Sequence, residues 1–104
     1  MKAMPYPSIL DQRKSEIAAI CRRHKVAELA LFGSAAKGNL RSDSDLDFLV
    51  EFAPGTPIGL LEFGKLQAEL EAALQRRVDL VSKRGLKPSL RESVLQQAQP
   101  VYAG

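Results

Sequence analysis

The 104-residue sequence contains no tryptophan, one cysteine and one histidine, and only 6% of its residues are aromatic. A single thiol, Cys21, excludes an internal disulfide and a cysteine zinc cluster. It lies among isoleucines and reads as core. His24 stands alone at a helix end and reads as a cap, so no Ser/His/Asp catalytic set is available, and there is no Walker loop either. The few aromatics are not interleaved with basic residues, which removes a base-stacking platform for single-stranded nucleic acid.

Charge of one sign is also scarce, since a net charge of +3 is too small to indicate nucleic-acid binding. The clusters Arg22-Arg23-His24-Lys25 and Lys83-Arg84 suit an acidic partner, but the first suits better a solvated helix end whose cations complement the helix dipole. No apolar run approaches the roughly 20 residues that span a bilayer. The N-terminus has no apolar segment of the secretory type. These absences predict a cytoplasmic protein with no membrane partner and no direct nucleic-acid partner.

Length and composition predict one domain over residues 1–104, with residues 1–7 as a loose lead-in and no room for a separate acceptor-binding domain. Ile9, Leu10, Ile17, Ile20 and Cys21 recur at helical spacing and predict one amphipathic helix from Ser8 to about Lys25. A strand follows from about Ala27 to Phe32, then a short helix from Ser34 to Lys37 and a loop of turn formers ending at Ser44. A second strand runs from Asp45 to about Phe52, and Ala53-Pro54-Gly55-Thr56-Pro57 breaks it.

Leu60, Leu61, Phe63, Leu66, Leu70, Ala73 and Leu74 predict the apolar stripe of a long helix, with Glu62, Lys65, Glu69 and Glu71 as its wet face. A third strand covers Val78 to Val81. Pro88 suits the first turn of a last helix that reaches about Ala98, with Leu90, Val94 and Leu95 inward. Pro100-Val101-Tyr102-Ala103 is an extended tail that suits an added edge strand. The predicted fold is α/β (α+β), a mixed sheet of three or four strands flanked by helices, with its site at an exposed edge of the sheet.

The chemistry is concentrated in Leu31–Glu51. Apolar residues run into Gly33-Ser34, where a glycine lets the backbone approach a ligand and the free N–H groups of a helix start face an anion. Asp45 and Asp47 follow, and the period of a strand puts both on one face with Leu46, Phe48 and Val50 on the other. Paired carboxylates repel unless a cation or a proton lies between them. Oxygen donors of this kind suit Mg²⁺, which completes its shell with substrate phosphates, so a metal-bound nucleoside triphosphate is the expected guest. Asp79, an acid inside a short apolar strand, is costly unless paired. Its bland alternative is a salt bridge to Arg76 or Arg77.

Gly33-Ser34, the ten residues Ala35 to Ser44, and Asp45-x-Asp47 together resemble the signature of the DNA polymerase beta-type nucleotidyltransferases. Asp79 stands where that family keeps its third carboxylate. The short chain, the Ser44-Asp45-Leu46-Asp47 segment and the closing Pro100-Val101-Tyr102 resemble in particular the minimal nucleotidyltransferases, from about Ile17 onward. The family often carries arginine four residues after its glycine, where this chain has Lys37.

The resemblance implies an antitoxin paired with a HEPN-domain ribonuclease toxin and transfer of AMP from ATP to a toxin tyrosine. It implies Asp45, Asp47 and Asp79 as catalytic residues and as ligands of two Mg²⁺ ions. Asp79 would take the acceptor proton, Gly33 and Ser34 would hold the β- and γ-phosphates, and Lys37 and Arg41 would neutralise the leaving pyrophosphate. Two rival readings are a catalytically idle antitoxin that masks its toxin by stoichiometric binding, and a nucleotidyltransferase acting on a small molecule or an RNA end.

Overall fold

The computed structural model describes residues 8–33 and 45–104. Two helices, α1 (Ser8–Gln12) and α2 (Lys14–Arg23), occupy the stretch where periodicity predicts one. Arg13 leaves helical geometry at φ −107° and ψ 19°, although its N–H still donates to the Ile9 carbonyl at 3.0 Å. Leu10, Ile17, Ile20 and Cys21 are all buried in one core, so the apolar pattern passes through the bend unchanged. Burial pushes the Cys21 thiol up to about 12, against a smaller lowering by Arg22, which leaves the group an inert hydrophobe.

Strands β1 (Val26–Phe32) and β2 (Leu46–Phe52) pair antiparallel, and helix α3 (Leu60–Leu74) then carries the chain to β3 (Val78–Ser82), parallel to β2. After a 3-10 turn at Lys83–Gly85 and helix α4 (Pro88–Gln97), β4 (Gln99–Ala103) pairs antiparallel with β1. The sheet order is β3-β2-β1-β4. The tail is therefore an edge strand, and an edge is where Pro100, which lacks an N–H, is tolerated. No helix among the described residues is long and apolar enough to cross a membrane.

One layer of side chains holds this together. Leu29 and Leu31 of β1, Leu46, Phe48 and Val50 of β2, and Val78 and Leu80 of β3 are buried in one cluster with Ile17, Ile20 and Cys21 of α2 and Leu66, Leu70 and Leu74 of α3. The alternate residues Phe32, Asp47 and Asp79 then share the opposite face, because neighbouring strands in register present matching faces. Two of the predicted inward stripes are cut short. Leu60 and Leu61 are 91% and 68% exposed, because the first turn of α3 overhangs the core that Leu66, Leu70 and Leu74 fill. Leu90 and Leu95 are exposed as well, and α4 buries no residue.

Two charged clusters tie elements together. Glu28 and Glu51 are register partners on β1 and β2, a like-charge pairing that destabilises a sheet. Lys83 bridges them, with its Nζ 3.7 Å from Glu28 and 3.4 Å from Glu51. Lys83→Met is expected to cost roughly 0.5–1 kcal/mol at low salt, measured by urea denaturation. Adding Glu51→Gln should recover most of the loss.

The second cluster joins the end of α2 to α3. Glu69 accepts from Arg23 and meets His24 Nε2 at 3.0 Å, so it is more than the wet face of a helix. The His24 hydrogen bond, against some burial and with help from Arg23, holds the Glu69 carboxyl below its ordinary 4.5. A depressed acid stabilises the fold fully above its ordinary value, and that contribution is lost as pH falls through the folded value. Glu69→Gln should therefore lower stability at neutral pH by roughly 0.5–1 kcal/mol for a partly exposed pair. Thermal melts should show the gap closing as pH drops below 4.5.

Candidate active site

Gly33 ends β1 at φ +77°, a left-handed conformation that disfavours any Cβ. Its neighbour Phe32 is the register partner of Asp47, which brings the Gly33 backbone against the Asp47 side chain. A Cβ built on Gly33 would collide with the Asp47 carboxylate and lie 3.2 Å from its Cγ. Glycine is thus required here twice, once by the backbone angle and once by the carboxylate beside it.

Asp47 is aimed by its neighbours. Leu46 and Phe48 are fully buried on one side of β2, which forces Asp47 to the other. Val78 and Leu80 do the same for Asp79, whose side chain is exposed. The Leu46 N–H donates to the Arg77 carbonyl at 2.9 Å, and this bond sets a parallel register in which Asp47 lies opposite Asp79. The two carboxyls therefore lie side by side on one face of the sheet. Burial first, then the charges of Asp79 and Asp45, push the Asp47 carboxyl above its ordinary value. Like charges held this close repel unless a cation or a proton lies between them.

Asp45 immediately precedes β2 and is exposed. Its Oδ1 lies 3.5 Å from Arg77 Nε, so one of the two arginines foreseen as partners for Asp79 pairs with Asp45. Among the described residues no three His, Cys, Asp or Glu side chains already form a cation cage. Asp47 and Asp79 are together, and Asp45 leans toward Arg77. Ser34, Lys37 and Arg41 lie outside the described residues. The set contains only carboxylate oxygens, with no thiolate or imidazole, and fits a hard divalent cation.

Two neighbours of the site escaped sequence reasoning. Arg77 was considered only for Asp79, and Glu71, read as helix surface, accepts the Val78 N–H at 2.9 Å at the start of β3. The signal for Glu71 would have been its position one turn before the end of α3, where a side chain can reach the incoming strand.

A profile described as the nucleotidyltransferase domain matches residues 14–101. The chain belongs to that family. This nucleotidyltransferase is 42% identical over 90 residues to the protein adenylyltransferase MntA of Thermococcus cleftensis, across 86% of each chain. It is 46% identical, with a TM-score of 0.75, to a solved structure described as a candidate minimal nucleotidyltransferase, covering 88% of this chain and 91% of that one. It also resembles a chain in a crystal structure of a toxin-antitoxin with AMP-PNP, at 26% identity and a TM-score of 0.72, covering 88% of this chain and 73% of that one. The mixed four-stranded sheet with flanking helices is the fold of these minimal nucleotidyltransferases.

Proposed function

We propose that this nucleotidyltransferase moves AMP from ATP to a hydroxyl on a partner protein in the cytoplasm. The partner class implied by the resemblance is a HEPN-domain ribonuclease toxin with a tyrosine acceptor, which makes this chain the antitoxin. The observation that carries the reading is the in-register Asp47–Asp79 pair packed against Gly33. Support comes from the adenylyltransferase named above and from the related chain crystallised in a toxin-antitoxin with AMP-PNP.

Asp45, Asp47 and Asp79 would hold Mg²⁺, two ions in this reading. Bound there, Mg²⁺ supplies positive charge to the phosphates and lowers the pKa of the acceptor hydroxyl. The remaining work falls to the chain. Gly33, with no side chain, lets phosphate oxygens approach the end of β1. Ser34 would donate to the β- and γ-phosphates, and Lys37 and Arg41 would neutralise pyrophosphate as it leaves. The tyrosine oxygen bonds to the α-phosphorus, the bond from that phosphorus to the bridging oxygen breaks, and the hydroxyl proton passes to Asp79, directly or through water.

The test is the intact mass of the purified toxin after incubation with ATP, Mg²⁺ and this chain. A gain of one or more AMP units is expected, and an unchanged mass overturns transfer. A second reading, an antitoxin that only masks its toxin, is favoured by the Arg77–Asp45 contact, which holds one of the three acids with a cation of the chain's own. Asp45→Asn with Asp47→Asn separates the two, since masking survives the double substitution and transfer does not.

A further inference from the structure

The register that sets Asp47 opposite Asp79 also pairs Leu46 with Val78, and one residue further back Asp45 and Arg77 face each other where the two parallel strands begin. The side-chain period of two puts Arg77 on the face that Asp79 shows and Asp45 on the face that Asp47 shows. One face therefore carries two short rows, Asp45 and Asp47 from the β2 side against Arg77 and Asp79 from the β3 side. The charges are distributed unevenly. Asp47 meets a second carboxylate across the strands, whereas Asp45 meets a cation.

The Arg77–Asp45 contact is one the chain can surrender. At 3.5 Å from Asp45 Oδ1, Arg77 Nε lies farther away than the two parallel hydrogen bonds of a guanidinium–carboxylate fork, about 2.8 Å each. The Arg77 side chain is 78% exposed and that of Asp45 48%, so water can replace either partner and the pair holds weakly. A Mg²⁺ ion on the same carboxylate would carry twice the charge at about 2.1 Å and would repel the guanidinium beside it. The sheet order decides which other role Arg77 could play. Strand β2 lies between β3 and β1, so Arg77 approaches Asp45 from the flank opposite Gly33, away from the backbone where the proposed mechanism seats phosphates.

We propose that Arg77 is the built-in counter-ion of this site: it neutralises Asp45 in the free chain, competes there with Mg²⁺, and is displaced when the ion binds. This rests on the reading of Asp45 as an ion ligand given above and adds the residue that sets how tightly the ion is held. Arg77 is a positioning residue in this scheme, since it acts through Asp45 and not on the substrate. In the free chain it removes one like charge from the surroundings of Asp47, so the acids stay gathered without an ion; in exchange, the ion binds more weakly than the three carboxylates alone would allow.

The test is Mg²⁺ binding to the free chain, measured without any transfer. Calorimetry with MgCl₂ should show Arg77→Met binding the ion about two- to fivefold more tightly than the wild type, the worth of one exposed ion pair. Arg77→Lys keeps a cation at the position and should stay near the wild-type affinity. Lys83→Met removes a cation whose partner Glu51 lies six residues along from Asp45, roughly 20 Å away, and at about 0.1 M salt should leave the affinity unchanged. NMR of the wild type follows the displacement itself: the Arg77 Nε–Hε signal should shift with the same midpoint as the carboxyl carbons of Asp45 and Asp47. Equal affinity in wild type and Arg77→Met, with the aspartate signals responding to Mg²⁺, overturns the counter-ion role and leaves the ion site standing. A gain in Arg77→Lys as large as in Arg77→Met overturns it too. Aspartate signals that ignore Mg²⁺ in both the wild type and Arg77→Met, with and without ATP, remove the ion site and this inference with it.

Discussion

Asp47→Asn is expected to melt higher than the wild type and to lose most of its nucleotide transfer. Asp47 is held beside Asp79 by the β2–β3 register and feels Asp45 as well, and its carboxyl is pushed above the ordinary 3.8 by burial and then by those charges. For an acid with a raised folded value the ionised form destabilises the fold. That cost is full above the folded value and absent below 3.8, where both states are protonated. Asparagine keeps the shape and removes the charge. Relief of one cross-strand like-charge contact stabilises by up to about 1 kcal/mol, roughly 4–8 °C in a domain of this size.

The same change removes an oxygen anion from the proposed ion site. A lost ion contact of several kcal/mol lowers the rate on the order of 10²–10⁴-fold. Differential scanning calorimetry at neutral pH and at pH 3, with the transfer assay alongside, checks both halves. The stability advantage should vanish at the lower pH. Mg²⁺ should raise the melting temperature of the wild type and leave that of the variant nearly unchanged.

Gly33→Ala is expected to fold and to lose most of its activity, whereas Gly55→Ala should lose comparable stability and no activity. Both glycines sit at φ +77°, so each alanine incurs about 1–2 kcal/mol of left-handed backbone strain. The surroundings differ. Nothing lies within 4 Å of a Cβ at Gly55, whereas at Gly33 the new methyl meets the Asp47 carboxylate. A carboxylate on a short side chain yields by rotating, so the fold survives and the acid is displaced. Misplacing a reacting group by about 1 Å costs on the order of 10²-fold. Equal activity in the two variants at matched stability would remove the Gly33–Asp47 contact from the proposed mechanism.

What was legible in the sequence is what one element determines by itself. The alternation of Leu46, Phe48 and Val50 with Asp47 fixes a face, and Gly33 after an apolar run marks the end of a strand. Features that depend on two elements meeting were not legible. The bend at Arg13 leaves the apolar spacing intact, so a pattern of faces cannot register it. Leu60 and Leu61 continue the stripe of α3, and only the length of the sheet beneath it decides that the first turn has nothing to cover. Arg77 stands within reach of either Asp45 or Asp79 on sequence grounds, and the β2–β3 geometry awards it to Asp45. The proximity of Asp79 to Asp47 came from resemblance; the residue-for-residue pairing needed the crossover through α3.

In the proposed mechanism that pairing also makes catalysis a census of correctly threaded chains. If β3 slid by one residue against β2, Asp79 would be driven among Leu46, Phe48 and the leucines of α3, while Leu80 would turn out to water. A mispaired chain is then poorly packed and, in the proposed mechanism, chemically silent. A single-residue insertion or deletion between Leu74 and Val78 is therefore expected to cost far more than one in the 53–59 connection, and in the proposed mechanism specific activity reads the fraction of molecules that closed the sheet in the right phase.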